Sequence, residues 1–149
     1  MEVVLFEVNK QKFGMNIDYL VGIEDLDSVT MVASAPAHIS GITNVRGEIV
    51  PVFDLCTKFA MEKSNTEKKY LLVRLDNAAV CIAVDEVIGM KNFEDRDIFD
   101  VPGVINQDIN FFSTVLRLEG NELSLMIDPN TLISNEEQKS ISEFVSELE

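Results

Sequence analysis

The sequence predicts a mainly β fold with a few short helical turns and one amphipathic helix at the C-terminus. Short runs alternate apolar and polar residues, turn-forming residues separate those runs, and helical spacing is persuasive only in the tail. At 149 residues the chain fits one domain that buries roughly 70% of the surface exposed when unfolded, so it needs no disulfide framework.

Val4, Phe6 and Val8, then Phe13, Met15 and Ile17, flank the polar Asn9-Lys10-Gln11-Lys12 and predict a hairpin with one buried face. Ser34 and Pro36 predict a helical turn ended by Gly41, for which a helix-stop role is expected. Two apolar runs between Ile42 and Phe53 meet at Arg46-Gly47-Glu48, where Gly47 is expected in a tight turn; Pro51 marks its strand as an edge or a bulge. Asp54 is placed to cap a short helix over Leu55 to Phe59. Tyr70 to Leu75 and Ala78 to Val84 flank Asp76-Asn77 as a second hairpin. Val115 to Leu118 and Glu122 to Ile127 flank Glu119-Gly120-Asn121 as a third, with Gly120 free to take a positive φ. Glu62 to Lys69 and the acidic Glu94 to Asp108 read as loops. Ser134 and Glu137 have capping-box spacing ahead of the stripe Ile141, Phe144, Val145 and Leu148, so the chain divides into a strand-rich domain over 1–133 and a docking helix over 134–149.

A weak repeat runs through this order. Ile17-Asp18-Tyr19-Leu20-Val21-Gly22-Ile23 and Val84-Asp85-Glu86-Val87-Ile88-Gly89-Met90 share one pattern, and Gly47 to Asp54 parallels Gly120 to Asp128. Either the chain is two similar small barrels, or short strands that end in Asp recur here as they commonly do in β proteins. Leu20, Val21 and Ile23 leave a similar choice, between an exposed apolar strip that a partner covers and a strand buried on both faces.

The chemistry the chain lacks narrows its function. With 12 basic against 26 acidic residues and a net charge of −14, nucleic acid and anionic membranes are not expected partners. The longest apolar run, Ala78 to Val84, is far short of the roughly 20 residues that span a bilayer, so no membrane insertion is expected. The N-terminus has no basic region of a secretory signal, and with only Cys56 and Cys81 the expected location is the cytoplasm. Cys81 reads as a core residue, and Cys56 as either buried or partly exposed and oxidisable. His38 is the single histidine, so no zinc cluster is expected, and it reads as structural. Asp95, Asp97, Asp100 and Asp108 lack calcium-loop spacing, and no phosphate-cradling glycine motif occurs. No metal and no cofactor is expected. Paired carboxylates could still serve a small β-barrel enzyme, the alternative from a different class, although no pocket signature selects a pair.

The segment from Pro36 through Gly41, Asn44, Arg46, Gly47, Pro51 and Asp54 to Leu55 resembles the signature of the CheW family of bacterial chemotaxis coupling proteins. Phe6 and Val8, Phe13 to Ile17, Val84-Asp85-Glu86-Val87 and Leu125-Met126-Ile127-Asp128 follow in that family's order. The resemblance implies two five-stranded SH3-like β-barrel subdomains around a shared core. It also implies a non-enzymatic adaptor joining the cytoplasmic tips of methyl-accepting chemoreceptors to the regulatory domain of the histidine kinase CheA. The same-family alternative serves another receptor-kinase pathway, such as surface motility. Residue chemistry leaves Arg46 between an internal ion pair with Glu24, Glu48 or Asp54 and a partner's carboxylate; the resemblance favours the partner, and extends a partner-binding role to Asn44. Two positions depart from the family: Gly22 stands where many members carry Glu, so that a partner-facing ion pair there is expected to be either missing or replaced by one from Glu24, and Val115 stands where many carry Gly.

Overall fold

The computed structural model describes residues 1–26, 28–101 and 111–149. Strands β1 (Glu2–Val8) and β2 (Gln11–Asn16) form the first hairpin. Its two-residue turn has Asn9 at φ 48° and Lys10 at φ 67°, which matches the twist of the flanking strands. A 3₁₀ turn over Ile17–Tyr19 leads to β3 (Leu20–Glu24). Then come β4 (Ile39–Val45), β5 (Glu48–Phe53), α1 (Leu55–Phe59), β6 (Lys69–Arg74), β7 (Ala79–Val84) and β8 (Glu86–Asn92). The short β9 (Ile98–Phe99), β10 (Phe112–Arg117), β11 (Leu123–Ile127), α2 (Pro129–Leu132) and α3 (Asn135–Leu148) complete the chain.

Two sheets result, one ordered β8-β1-β2-β11-β10-β9 and the other β3-β6-β7-β5-β4. Each joins two antiparallel hairpins through one short parallel pairing, β2 with β11 and β7 with β5. The strand after the leading hairpin of each half leaves for the other sheet: β3 pairs with β6, and β8 returns to β1. The halves are interleaved. The first sheet has six strands rather than the expected five, because two residues of the acidic loop pair with β10 as β9. Asp95–Asp97 of that loop form a 3₁₀ turn, and its residues 102–108, Asp108 included, lie outside the described residues.

Burial explains why the interleaving holds. Val4, Phe6, Phe13 and Met15 from the first sheet meet Phe53, Leu71, Val73 and Ile82 from the second, and Ile141 and Phe144 of α3 close this shared core. The opposite faces bury too: Val3, Leu5, Leu116 and Met126 pack inside the first sheet, and Val45, Val50, Val52, Leu72 and Cys81 inside the second. The β1–β2 hairpin therefore buries both faces of β1 instead of the single face that its alternation predicts. α3 carries the capping box of Ser134 and Glu137. Its fully buried Gln138 accepts from the Asn77 amide at 2.8 Å and donates to the Ile133 carbonyl at 2.8 Å, which pins the helix to the β6–β7 turn. Such a buried amide is costly unless paired, and here it is paired.

Three local expectations need correction. Residues around Ser34 and Pro36 form two hydrogen-bonded turns, Ala35 to Val32 and Ile39 to Pro36, and no helix. Gly41 is no helix stop but the third residue of β4, where a Cβ would lie 2.3 Å from the Thr30 carbonyl oxygen. The Thr30 backbone exchanges two hydrogen bonds with Ile42, and this close approach sets the need for glycine. Pro51 sits in an interior strand, not an edge. It precedes the residue at which β5 begins to pair with β7, so its missing N–H costs no parallel ladder bond.

Candidate functional site

The β4–β5 turn and β3 form one surface of the second sheet. Arg46 at φ 52° and Gly47 at φ 89° are the two turn residues, flanked by the pair Val45 and Glu48. The Asn44 side-chain oxygen accepts from the Gly47 amide at 2.9 Å. That bond commits half of the Asn44 amide to holding the turn, so the residue acts on Arg46 by fixing the backbone beneath it. Gly120 occupies the corresponding turn of the other sheet at φ 71°.

Arg46 reaches across to β3, where its Nη2 donates to Glu24 Oε1 at 2.6 Å. The guanidinium side chain is 70% exposed and the Glu24 side chain 18%. The acid is thus anchored while the cation stands in solvent. A Cβ on Gly22 would lie 3.3 Å from Glu24 Oε1 and 3.6 Å from Arg46 Nη2. Glu24 therefore folds back over Gly22 to reach Arg46.

The apolar strip divides. Val21 and Ile23 are 45% and 42% exposed and stand outward, whereas Leu20 is half-buried and packs against the shared core. A cleft of about 220 Å³ opens beside them, with the buried Val45, Val50 and Leu72 as its floor and Val21, Arg46, Glu48 and Arg74 around it. Arg74 ends β6 and is exposed. Sequence reasoning missed it, because a cation closing an apolar strand ahead of Asp76 looks like an ordinary solvated strand end.

Other reactive groups are withdrawn from solvent. Cys81 is buried among the second sheet's interior residues, and burial, with Glu24's charge second, pushes its thiol up to about 12. Cys56, for which exposure was one expectation, is buried under the first turn of α1, and burial followed by the nearby Asp54 and Asp85 charges raises its pKa as well. Neither thiol is a nucleophile at neutral pH. His38 is half-buried with its ring edge-on to Phe53 at 6.1 Å between centroids. Among the described residues no three His, Cys, Asp or Glu side chains gather closely enough to hold a metal ion. Likewise no helix among them is long and apolar enough to cross a membrane.

Fold and site together define a duplicated β domain of two interleaved SH3-like sheets, with an arginine-tipped turn and an apolar strip on one of them. Residues 2–137 match the CheW-like domain family, and the chain belongs to that family. Chemotaxis protein CheW of Klebsiella aerogenes is 29% identical over 138 residues, covering 91% of this chain and 83% of the relative. Chemotaxis protein CheW of Rhizobium meliloti is 25% identical over 142 residues, covering 93% and 91%. A shorter match, 32% over 66 residues and 43% of this chain, is to Protein PilI of Pseudomonas aeruginosa, of which it covers 37%. The crystal structure of scaffolding protein TtCheW from Thermoanaerobacter tengcongensis superimposes with a TM-score of 0.80 at 22% identity, over 91% of this chain and 89% of that one.

Proposed function

We propose that this chain is a cytoplasmic, non-enzymatic coupling protein of bacterial chemotaxis, which links the cytoplasmic tips of methyl-accepting chemoreceptors to the regulatory domain of the histidine kinase CheA. The observation that carries this reading is likeness along nearly the whole chain to relatives named for chemotaxis, joined to the same two-sheet fold. The relatives matched over most of their length bear that name, which favours chemotaxis over a surface-motility pathway.

The site fits a contact surface physically. An exposed ion pair is worth no more than about 1 kcal/mol to a fold, so the Arg46–Glu24 pair is a weak reason to place arginine at the tip of a turn. Glu24 orients the guanidinium and leaves its outward donors for a partner's acceptor. Val21 and Ile23 supply the adjoining apolar area, and truncating an interface arginine of this kind costs about 2 kcal/mol, or roughly thirtyfold in affinity.

Capture of both a receptor fragment and the kinase regulatory domain by the purified protein tests the class. Titration of each against Arg46→Ala tests the site. The expected outcome is a nearly unchanged melting temperature and roughly thirtyfold weaker binding of at least one partner. A lower melt with affinities within twofold of the parent would show that Arg46 serves only the fold.

A further inference from the structure

We infer that Arg74 is a second partner-facing cation, and that the cleft between it and Arg46 receives a protein segment presenting one aliphatic side chain beside one carboxylate. The inference rests on the coupling reading above and specifies the chemistry of the partner at that site.

Three observations carry it. The chain has four arginines among 26 acids, and ion pairing is the usual fate of each. Arg46 is held by Glu24, Arg96 by Glu94 and Asp97, and Arg117 by Asp97. Among the described residues Arg74 alone has no carboxylate partner, although Glu48 lines the same cleft. A guanidinium with no carboxylate partner among the described residues keeps its full fork of donors for something outside the molecule.

The cleft itself is the second observation. Val45, Val50 and Leu72 are buried, yet they form the floor of an opening walled by the exposed Val21. The apolar interior of the second sheet thus reaches solvent here, and an aliphatic side chain entering it would continue that packing. A guanidinium close to such a low-dielectric floor is also worth more to an incoming carboxylate than one standing in open water.

Charge gives the third. The overall field of this protein repels acidic partners, but at physiological salt it is screened within about 8 Å, so recognition of an acid must come from cations at the contact. Arg46 and Arg74 provide two on one cleft. Glu48 in the same lining rejects a second carboxylate, which sets the preference for one acid beside an apolar residue rather than an acidic run.

The test uses the full chain. Arg74→Glu and Arg74→Lys are titrated calorimetrically against the kinase regulatory domain and, separately, a receptor-tip fragment, at two salt concentrations. Among the described residues the Arg74 side chain makes no hydrogen bond or ion pair and is exposed, so both variants should melt with the parent. The expected result is at least a roughly tenfold loss of affinity with Arg74→Glu for the partner that fills the cleft. A smaller loss is expected with Arg74→Lys, which keeps the charge and loses the fork, and a shallower salt dependence in Arg74→Glu than in the parent. Affinities within twofold of the parent for both partners would overturn the inference while leaving the coupling reading intact. Loss of self-association in sedimentation, with partner binding unchanged, would overturn it by assigning the cleft to a second copy of this chain. Failure of the parent itself to bind either partner would remove the coupling reading, and this inference with it.

Discussion

Each sheet joins a leading hairpin to a second hairpin by one parallel step, and each ends that second hairpin in an aspartate that caps a short helix. Asp54 accepts from the Cys56 and Thr57 amides at the start of α1, and Asp128 from the Asn130 amide at the start of α2. In the swapped strands, β3 exposes Val21 and Ile23 around Gly22, and β8 exposes Ile88 and Met90 around Gly89. The frame is common to both halves. What differs is the turn between the strands of the second hairpin. In the second sheet it is two residues long and carries Arg46, tied to the neighbouring strand; in the first it is the wider Glu119-Gly120-Asn121 turn with no cation. The aspartates and turn glycines thus belong to the architecture, while Arg46 and Arg74 of the second sheet are the residues proposed to make its contacts.

The largest expected effect comes from attacking what the halves share. Phe53 is fully buried in the core to which both sheets contribute, and Phe53→Ala should cost about 3–5 kcal/mol. Because β3 and β8 are exchanged between sheets, that loss should reach both. Hydrogen exchange is expected to show protection falling together in β1 and in β7. Weakened protection confined to the second sheet would break the view of one interleaved unit.

A smaller effect separates the two aligned glycines. Gly89 lies at φ 150°, where side-chain-bearing residues are strained, and Gly22 does not share that backbone. Gly89→Ala should therefore cost about 1–3 kcal/mol although open space surrounds the position. Gly22→Ala meets only the flexible ends of Glu24 and Arg46 and should melt with the parent. Equal melting temperatures for the two variants would mean that the glycines are interchangeable after all.

The parts of this architecture that sequence reveals are those set by neighbours in the chain. The polar interruption Asn9-Lys10-Gln11-Lys12 and the turn-tolerant Asp76-Asn77 and Glu119-Gly120-Asn121 mark hairpins, and Ser134 with Glu137 marks α3 because a capping box is local. The exchange of β3 and β8 is invisible in that reading, since which strand pairs with which is decided by distant residues. The same limit explains Ser34, Pro36 and Gly41: locally they resemble a helix and its stop, yet the bridge from Thr30 to Ile42 overrides the propensity. At the candidate site Arg46 was legible from its turn, and Glu24 as one of several acids that could pair with it. Arg74's place at the cleft was not, because it depends on the register that β3, β4, β5 and β6 adopt in the folded sheet.

The smallest effect distinguishes the two capping aspartates. Loss of an N-cap side chain typically costs about 1 kcal/mol, and Asp54→Ala and Asp128→Ala should each show a loss of that order. Only Asp54 also holds a lysine, with Lys63 Nζ at 2.7 Å from Oδ2, so its replacement should be the slightly costlier of the two at neutral pH. Burial raises the Asp54 pKa, but the hydrogen bonds from Lys63 and Thr57 outweigh it and leave the carboxyl below its ordinary value of 3.8. A carboxyl whose folded pKa is depressed binds protons less readily when folded than when unfolded. Its contribution is therefore complete above the unfolded value and is lost as the pH falls through the lower folded one. The stability gap between the parent and Asp54→Asn should accordingly be widest at neutral pH and narrow below about pH 4. Urea denaturation of both proteins at pH 7 and at pH 3 measures it. A gap that widens in acid would mean that Asp54 is held in its protonated form, and that its pairing with Lys63 does not distinguish this cap from the one at Asp128.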